Sequence, residues 1–206
     1  MSLALVIAGW TLTTGASYSL VSHFVHMKPT TTVATARPEI GVIVDAPAEQ
    51  LPALASSFAG YGLHVSFALD RPPTATELTV RQYGDQPVPQ LPRGGLVRWL
   101  GTRDQLNDIL SEMGFDHHFL YTSSGPSVGQ WWLAHRAGGR LIAGAVHVYD
   151  HNDPVGQLRA GEVIELSVTP STDVESLLRK LSGDLSKSGL RAVTVGRLMR
   201  DANTAV

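Results

Sequence analysis

Residues 40–47 read IGVIVDAP, a short run of small and apolar residues that ends on one acid and a turn. A continuous β-branched run bounded by turn residues is typical of a buried strand in a parallel sheet. The carboxyl ends of such strands carry the functional groups of many α/β enzymes. Asp45 is therefore a candidate catalytic residue, although an Asp next to Ala46-Pro47 is also ordinary turn chemistry.

Strand-like and helix-like segments alternate from residue 38 to about residue 202, with Arg71–Arg93 interpreted mostly as loop. The predicted strands are Ile40–Val44, Leu63–Leu69, Leu96–Leu100, Phe119–Thr122, Leu141–Tyr149, Val163–Val168 and Ala192–Val195. The predicted helices are Ala48–Ala59, 102–113, Ser127–Ala137, 172–185 and Arg197–Asp201. This alternation predicts an α/β fold with a parallel sheet. Seven strands fit either an open doubly wound sheet or an incomplete barrel.

Composition excludes several classes of function. The formal net charge of −2 and the absence of a basic run argue against a nucleic-acid partner. The chain has no cysteine, which excludes disulfides, thiolate zinc sites and cysteine nucleophiles. It also lacks the glycine-rich nucleotide motifs and the G-x-S-x-G motif of serine hydrolases.

The first 27 residues differ from the rest because they carry no Asp, Glu, Lys or Arg. Their length is enough to span a bilayer, so residues 1–27 are predicted to be a membrane anchor or a signal-like segment. The basic start of a signal peptide is missing, and an irregular or buried helix is the alternative. Residues 28–37 are predicted to be a linker and residues 38–206 a domain, exported or membrane-anchored on the extracytoplasmic side.

Four stretches carry a resemblance to a known family. VIVDAP at Val42–Pro47 corresponds to a family motif T-F-D-D-G-P, and VSFAL at Val65–Leu69 to A-T-F-F-V. GEVIELSV at Gly161–Val168 corresponds to G-s-I-i-L-L-H-D, and GLRAVTV at Gly189–Val195 to G-y-r-f-v-t-v. In order and spacing the chain resembles the polysaccharide deacetylases, the NodB-type domain of carbohydrate esterase family 4, over about residues 38–200. The resemblance implies a distorted (β/α) barrel of about seven strands.

The resemblance also implies a chemistry that this chain has lost. Such enzymes hold one divalent metal, such as zinc, with an Asp and two His, and use a further Asp as base and a late His as acid. Asp45 matches the base, but Ala46 occupies the position of the metal-binding Asp, and a methyl group cannot coordinate a cation. Ser167 and Val168 stand where the family has His and Asp, and no His lies near 97–103. The resemblance therefore implies the fold, no metal cofactor and a degenerate site, with cell-wall glycan as the partner.

Two other functions stay open on the sequence. An active, divergent carbohydrate N-deacetylase would use Asp45 with Asp150 and His151 at the carboxyl ends of the strands. A structural or partner-binding domain would have no glycan contact. A metal site between His147 and His151 is disfavoured, because residues four apart on a strand lie about 13 Å from one another.

Three more side chains have two interpretations each. Trp131 and Trp132 are adjacent on a predicted helix, so one is expected in the core and the other is a candidate platform for stacking on a sugar ring. Glu165, inside the sixth predicted strand, is either inside a barrel or exposed at an edge.

Overall fold

The structure is a computed structural model, and it describes residues 29–69, 74–75, 77–91, 119–123, 131, 134, 139–148 and 157–203. By its internal contacts the chain divides into two compact units. One unit comprises Met1–Thr30, Asp70–Pro72 and Pro89–Ala143, and the other comprises Thr31–Leu69, Pro73–Val88 and Gly144–Val206.

Eight strands and three α-helices are described. The strands are β1 (Glu39–Asp45), β2 (Ser66–Leu69), β3 (Gln86–Pro89), β4 (Phe119–Tyr121), β5 (Arg140–Ile142), β6 (Val146–Val148), β7 (Val163–Ser167) and β8 (Arg191–Val193). The helices are α1 (Leu51–Gly60), α2 (Val174–Ser188) and α3 (Val195–Asn203), with 3₁₀ turns at Ala48–Gln50 and Glu77–Tyr83. The α/β alternation predicted from the sequence is confirmed.

The sheet of the larger unit is built around β1. Its strand order is β3-β2-β1-β7-β6, and β8 pairs with β1 as well. The pairs β1–β2, β1–β7, β1–β8 and β6–β7 are all parallel. β1 is central because its residues are apolar on both faces: Ile40, Val42, Ile43 and Val44 have no exposed surface. The described strands form this sheet and a second, two-stranded one.

Two amphipathic helices follow β1 and β7 in the chain and bury the residues that helical spacing selects. They are Leu51, Leu54, Ala55 and Phe58 of α1 and Leu177, Leu178, Leu181 and Leu185 of α2. Phe58 packs edge-to-face on Phe67 of β2, with ring centroids 6.1 Å apart. α2 begins at Asp173, whose carboxylate accepts a hydrogen bond from the Ser176 amide at 3.1 Å, and ends at Gly189 with φ +65°.

α3 packs against the amino-terminal half of β1. A Cβ on Gly41 would lie only 3.1 Å from Leu198 Cδ2, so the absence of a side chain at Gly41 lets the helix approach the strand. The Ser66 hydroxyl accepts a hydrogen bond from the Val195 amide at 3.0 Å and fixes the start of the helix. α3 is longer than the predicted Arg197–Asp201 at both ends.

The smaller unit contributes a two-stranded parallel sheet, β4–β5. Leu91, Leu120, Ala134 and Leu141 form its described core, with the half-buried Trp131 packed on it. The expectation that one of the two tryptophans belongs to a core is confirmed for Trp131, whereas Trp132 lies outside the described residues.

Two sequence predictions are wrong. Arg71–Arg93 is not mostly loop, since it contains a 3₁₀ helix and the strand β3. β3 reads QPVP, and two prolines are compatible with a strand that ends the sheet order. Leu141–Tyr149 is not one strand, because pairing stops after Ile142 and resumes at Val146.

The segment predicted to be a linker makes backbone hydrogen bonds to β5 and to the turn that precedes β7. The Thr30 amide donates to Leu141 O at 2.8 Å, and the Val33 amide donates to Gly161 O at 2.9 Å. Nowhere in the described ranges is there a helix long and apolar enough to cross a membrane. The hydrophobic segment 1–27, the predicted strand Leu96–Leu100 and the predicted helix 102–113 lie outside those ranges.

Candidate functional site

The candidate site is the carboxyl-terminal edge of the parallel sheet, where β1 and β7 end side by side. Asp45 and Ser167 are Cα partners in the register of these two strands. The Val168 amide donates to Asp45 O at 2.8 Å, so the pairing continues to the last residue of β1. The chain then turns at Pro47, whose carbonyl accepts from the Gln50 amide at 2.9 Å. Asp45 is half-buried at this edge.

One face of the sheet connects this edge with α3. Side chains alternate between faces along a strand, so Gly41, Ile43 and Asp45 of β1 share a face. Their register partners on β7 are Val163, Glu165 and Ser167. α3 covers this face at Gly41, and Asp45 and Ser167 stand at its other end. The Glu165 side chain therefore lies one layer below the edge, about 7 Å along the strand from Ser167.

Glu165 forms an acid–imidazole pair with the neighbouring strand. It is 2% exposed, and its Oε2 lies 3.0 Å from Nδ1 of His147, a side chain that is 37% exposed. His147 of β6 is the register partner of Glu165, which brings the two side chains to the same face. The question that the sequence left open is answered, since Glu165 is interior. The pairing of His147 with Glu165 was missed because it depends on the register between β6 and β7.

The interruption between β5 and β6 makes room for this acid. A Cβ added to Gly144 would lie 2.6 Å from Glu165 Cβ and 3.2 Å from Val146 O. The Ala145 amide donates to Val163 O at 2.7 Å, which holds the segment directly against β7. Close backbone approach is a common reason for a glycine in a strand context, and it is the one signal in the sequence that marks this position.

Of the three predicted catalytic residues, only Asp45 is described. Asp150 and His151 lie in 149–156, outside the described residues, so the structure does not test their approach to Asp45. His147, considered with His151 as a metal ligand, contacts Glu165 instead.

A second buried acid lies away from this edge. Asp85 precedes β3 and is 5% exposed; its Oδ1 accepts a hydrogen bond from the Val65 amide at 2.8 Å. Burial raises the pKa of Asp85 to about 7, against the smaller lowering effect of that hydrogen bond. Val65 directly precedes β2, so Asp85 belongs to the other end of that strand from the candidate site.

Comparison with solved structures gives one fold. The chain superposes on a mutant, with restored enzymatic activity, of a family 4 carbohydrate esterase pseudoenzyme, with a TM-score of 0.63, 15% identity and coverage of 84% of this chain and 72% of that one. A peptidoglycan N-acetylglucosamine deacetylase superposes with a TM-score of 0.64 and 13% identity, over 86% of this chain and 95% of that one. The chitin deacetylase of Colletotrichum lindemuthianum superposes with a TM-score of 0.60 and 17% identity, over 84% of this chain and 91% of that one. The fold is that of the family 4 carbohydrate esterases. The resemblance predicted from the motifs is confirmed at the level of a divergent, deacetylase-like fold.

Neither family models nor curated protein sequences match the chain. At these sequence identities, the similarity to family 4 structures is evidence for the fold alone. Any inference about function must therefore come from the side chains at the carboxyl-terminal edge.

The described side chains at this edge do not fit the divalent metal that the family 4 resemblance implies. By that resemblance Ala46, directly after Asp45, takes the position of the metal-binding aspartate, and the neighbouring strand ends in Ser167. Within the part of the chain that the structure describes, no group of three or more His, Asp or Glu side chains converges as ligands of one ion would. The described part of the edge contains the carboxylate of Asp45 and the hydroxyl of Ser167, and one layer below them His147 is paired with the buried Glu165.

Proposed function

We propose that this chain is a deacetylase-like domain that binds cell-wall glycan at the carboxyl-terminal edge of its sheet without the metal-dependent chemistry of the family. The observation that supports this most is the pair of strand ends, Asp45-Ala46 beside Ser167. This edge retains a carboxylate and a hydroxyl, which suit the hydroxyl groups of a sugar. Ala46, the residue after Asp45, supplies no second carboxylate that would hold a cation.

The similar solved structures support a glycan as the partner. Two of them are deacetylases of peptidoglycan and of chitin, and a third derives from a pseudoenzyme with the same fold. A polymer of N-acetylated sugars is therefore the ligand class we assign to this chain. We also propose that the domain is exported or membrane-anchored through residues 1–27, since such polymers lie outside the cytoplasm.

Retention on insoluble glycan tests the binding. Purified protein is mixed with peptidoglycan or chitin, and the fraction that sediments is measured for the wild type and for Asp45→Ala. We expect the wild type to sediment on at least one polymer and Asp45→Ala to be retained several-fold less, because the variant loses a charge-assisted hydrogen bond. Asp184→Ala, a half-exposed acid of α2, is the matched control and should behave as the wild type.

Two results would overturn the proposal. If neither polymer retains the protein, a structural or partner-binding domain is the better account. If Asp45→Ala and the wild type are retained equally, the glycan binds elsewhere.

Metal content separates this proposal from the active divergent deacetylase that would use Asp45 with Asp150 and His151. Protein dialysed against zinc or cobalt should retain no stoichiometric ion and should show no metal-dependent change in melting temperature. One tightly bound ion per chain, lost on Asp45→Ala or His151→Ala, would favour the active enzyme.

A further inference from the structure

A polar cleft of about 380 Å³ opens at the amino-terminal end of β1, the opposite end from Asp45. Its walls come from the residues that follow α1, the last turns of α2, the first residues of β8 and one side chain of α3. Leu63 and Leu185 are buried beneath it, so the surface that a ligand meets is mostly polar. Glu39 and Asp45 are the first and last residues of β1, which puts the cleft about 20 Å from the candidate glycan site.

The acid and the two arginines of the lining leave one positive charge without a counter-charge. Glu39, 3% exposed, accepts a hydrogen bond at Oε1 from Nη2 of Arg197 at 2.7 Å, so these two side chains neutralise each other. Arg191 is the register partner of Glu39 on β8 and leaves the sheet on the same face. Its side chain is exposed and makes no ion pair or hydrogen bond in the described part of the chain. Such a guanidinium suits one carboxylate, which it binds through two parallel hydrogen bonds.

Two hydroxyl groups of α2 line the cleft. Ser182 and Ser186 are four residues apart, which places them next to each other on one side of the helix. A helical serine often donates to the carbonyl four residues earlier, as Ser57 does to Ala53 O at 3.0 Å. Across the described ranges the hydroxyls of Ser182 and Ser186 make no hydrogen bond. Both can therefore donate to a ligand and accept from it.

An imidazole adds an acceptor to the lining. His64 is exposed, and its Nδ1 lies 3.1 Å from Tyr83 O. A carbonyl oxygen can only accept, so Nδ1 carries the proton and Nε2 is the acceptor of the neutral ring. Hydroxyl groups of a ligand both donate and accept, which matches a lining that holds serine hydroxyls beside an imidazole acceptor and a guanidinium donor.

We propose that this cleft binds a sugar acid, a pyranose that carries one carboxylate. The carboxylate pairs with Arg191, and the ring hydroxyls bond to Ser182, Ser186 and His64. A single carboxylate fits better than a doubly charged phosphate ester, because the other arginine of the lining is already neutralised. The site does not depend on the proposed glycan site, since the two share no residue and lie at opposite ends of β1.

Three probes test this assignment by NMR titration of the protein amides. Methyl β-D-glucuronide carries the ring, the hydroxyl groups and the carboxylate. Methyl β-D-glucoside has a CH₂OH group in place of the carboxylate, and cyclohexanecarboxylate keeps the carboxylate on a ring without hydroxyl groups. The glucuronide should bind saturably and shift the amides of residues 189–193. Each of the other two should bind about tenfold more weakly or worse, because one loses a charge-assisted contact and the other loses several hydrogen bonds.

Arg191→Gln tests the carboxylate contact. The Arg191 side chain has no partner to leave behind, so the melting temperature should be unchanged, while the affinity for methyl β-D-glucuronide should fall about tenfold. Arg140→Gln is the matched control, an exposed arginine without a described partner that does not line the cleft. Its affinity for the glucuronide should equal that of the wild type.

Ser186→Ala tests the hydroxyl contact. Affinity for methyl β-D-glucuronide should fall about threefold, the effect of one neutral hydrogen bond. Ser188→Ala is the matched control, an exposed serine of the same helix that does not line the cleft, and it should bind as the wild type.

Four results contradict the proposal. One is the absence of saturable binding of the glucuronide, and another is amide shifts around Asp45 instead of at 189–193, which would place the sugar at the glycan site. Equal binding of the glucoside or of cyclohexanecarboxylate would show that the cleft does not recognise both the carboxylate and the hydroxyl groups. An equal loss in Arg191→Gln and Arg140→Gln would show non-specific attraction. Failure of the glycan retention assay leaves all of these outcomes unchanged.

Discussion

Asp85 is the residue at which burial most clearly conflicts with charge. Its Oδ1 accepts a hydrogen bond from the Val65 amide, but its Oδ2 is buried and has no hydrogen-bond partner in the described ranges. The pKa is raised to about 7, so the folded protein binds this proton more tightly than the unfolded chain does. The cost of ionising Asp85 is therefore fully present above pH 7 and disappears as the pH falls from 7 to about 4.

Asp85→Asn should raise the free energy of unfolding at pH 8, by up to about 4 kcal/mol, because the buried charge is removed while the acceptor for Val65 is kept. The gain should shrink to near zero at pH 4. Urea denaturation at both pH values measures it, with Asp184→Asn, a half-exposed acid, as the control without this dependence. A gain for Asp85→Asn that is the same at pH 4 and pH 8 would show that its charge is not the cause.

Gly144 is a second residue whose substitution is expected to change stability, because there is no room for a Cβ at this position. A Cβ there would meet Glu165 Cβ at 2.6 Å, so Gly144→Ala forces β7 and the segment before β6 apart. We expect a loss of about 1 to 3 kcal/mol in the free energy of unfolding. Gly183→Ala in α2 is the matched control, since a Cβ there has nothing within 4 Å and alanine favours the helix by about 1 kcal/mol.

Thermal or urea unfolding of the two glycine variants should therefore shift in opposite directions. If Gly144→Ala is as stable as the wild type, the close approach to Glu165 is not a constraint on the fold.

At the scale of elements, an ion pair between Arg197 and Glu39 connects α3 to β1. Glu39 is 96% buried at its side chain, so Arg197→Gln would leave its carboxylate without its cation. We expect the free energy of unfolding to fall by about 1 to 3 kcal/mol. This is less than for a fully buried ion pair, because Arg197 is half exposed. Urea unfolding measures the loss.

The control for this ion pair is Arg179→Gln in α2. Arg179 also contacts a glutamate at 2.7 Å, but both side chains of the Arg179–Glu175 pair are exposed, and such pairs contribute little. Equal losses for Arg197→Gln and Arg179→Gln would contradict the role assigned to burial.

The elements that the sequence predicts well are those whose pattern is local. The β-branched run predicts the strand β1, and the helical spacing of the leucines predicts the helix α2. Both predictions succeed because the pattern of apolar residues within each segment indicates which of its faces are buried. The two wrong predictions depend on distant contacts. β3 is a strand despite Pro87 and Pro89 because it ends the sheet order, and the break before β6 follows from the room that Glu165 needs.

The candidate site also combines features that the local sequence predicts with features that depend on distant contacts. The sequence predicts that Asp45 follows a buried strand, and Asp45 is the last residue of β1, whereas the position of Ser167 beside it follows only from the register of β1 and β7. The His147–Glu165 pair could not be predicted, since it requires knowing which residues of separate strands lie opposite each other.

At the scale of the whole molecule, the chain has the architecture of the family 4 carbohydrate esterases. By the resemblance of the motifs, Asp45 corresponds to the catalytic base, and Ala46 and Ser167 correspond to a metal ligand and an acid catalyst; the register shows only that Asp45 and Ser167 lie side by side. Fold and activity are separable in this way because burial of apolar strands does not depend on the residues at their ends. The account therefore predicts a glycan-binding domain that does not hydrolyse acetamides through a metal.

Release of acetate from oligomers of N-acetylglucosamine by the zinc-loaded protein tests this claim most directly. We expect no release above that of buffer with zinc, and the same result for Asp45→Ala. Zinc-dependent release by the wild type that Asp45→Ala abolishes would contradict the account and show that this edge is a working active site.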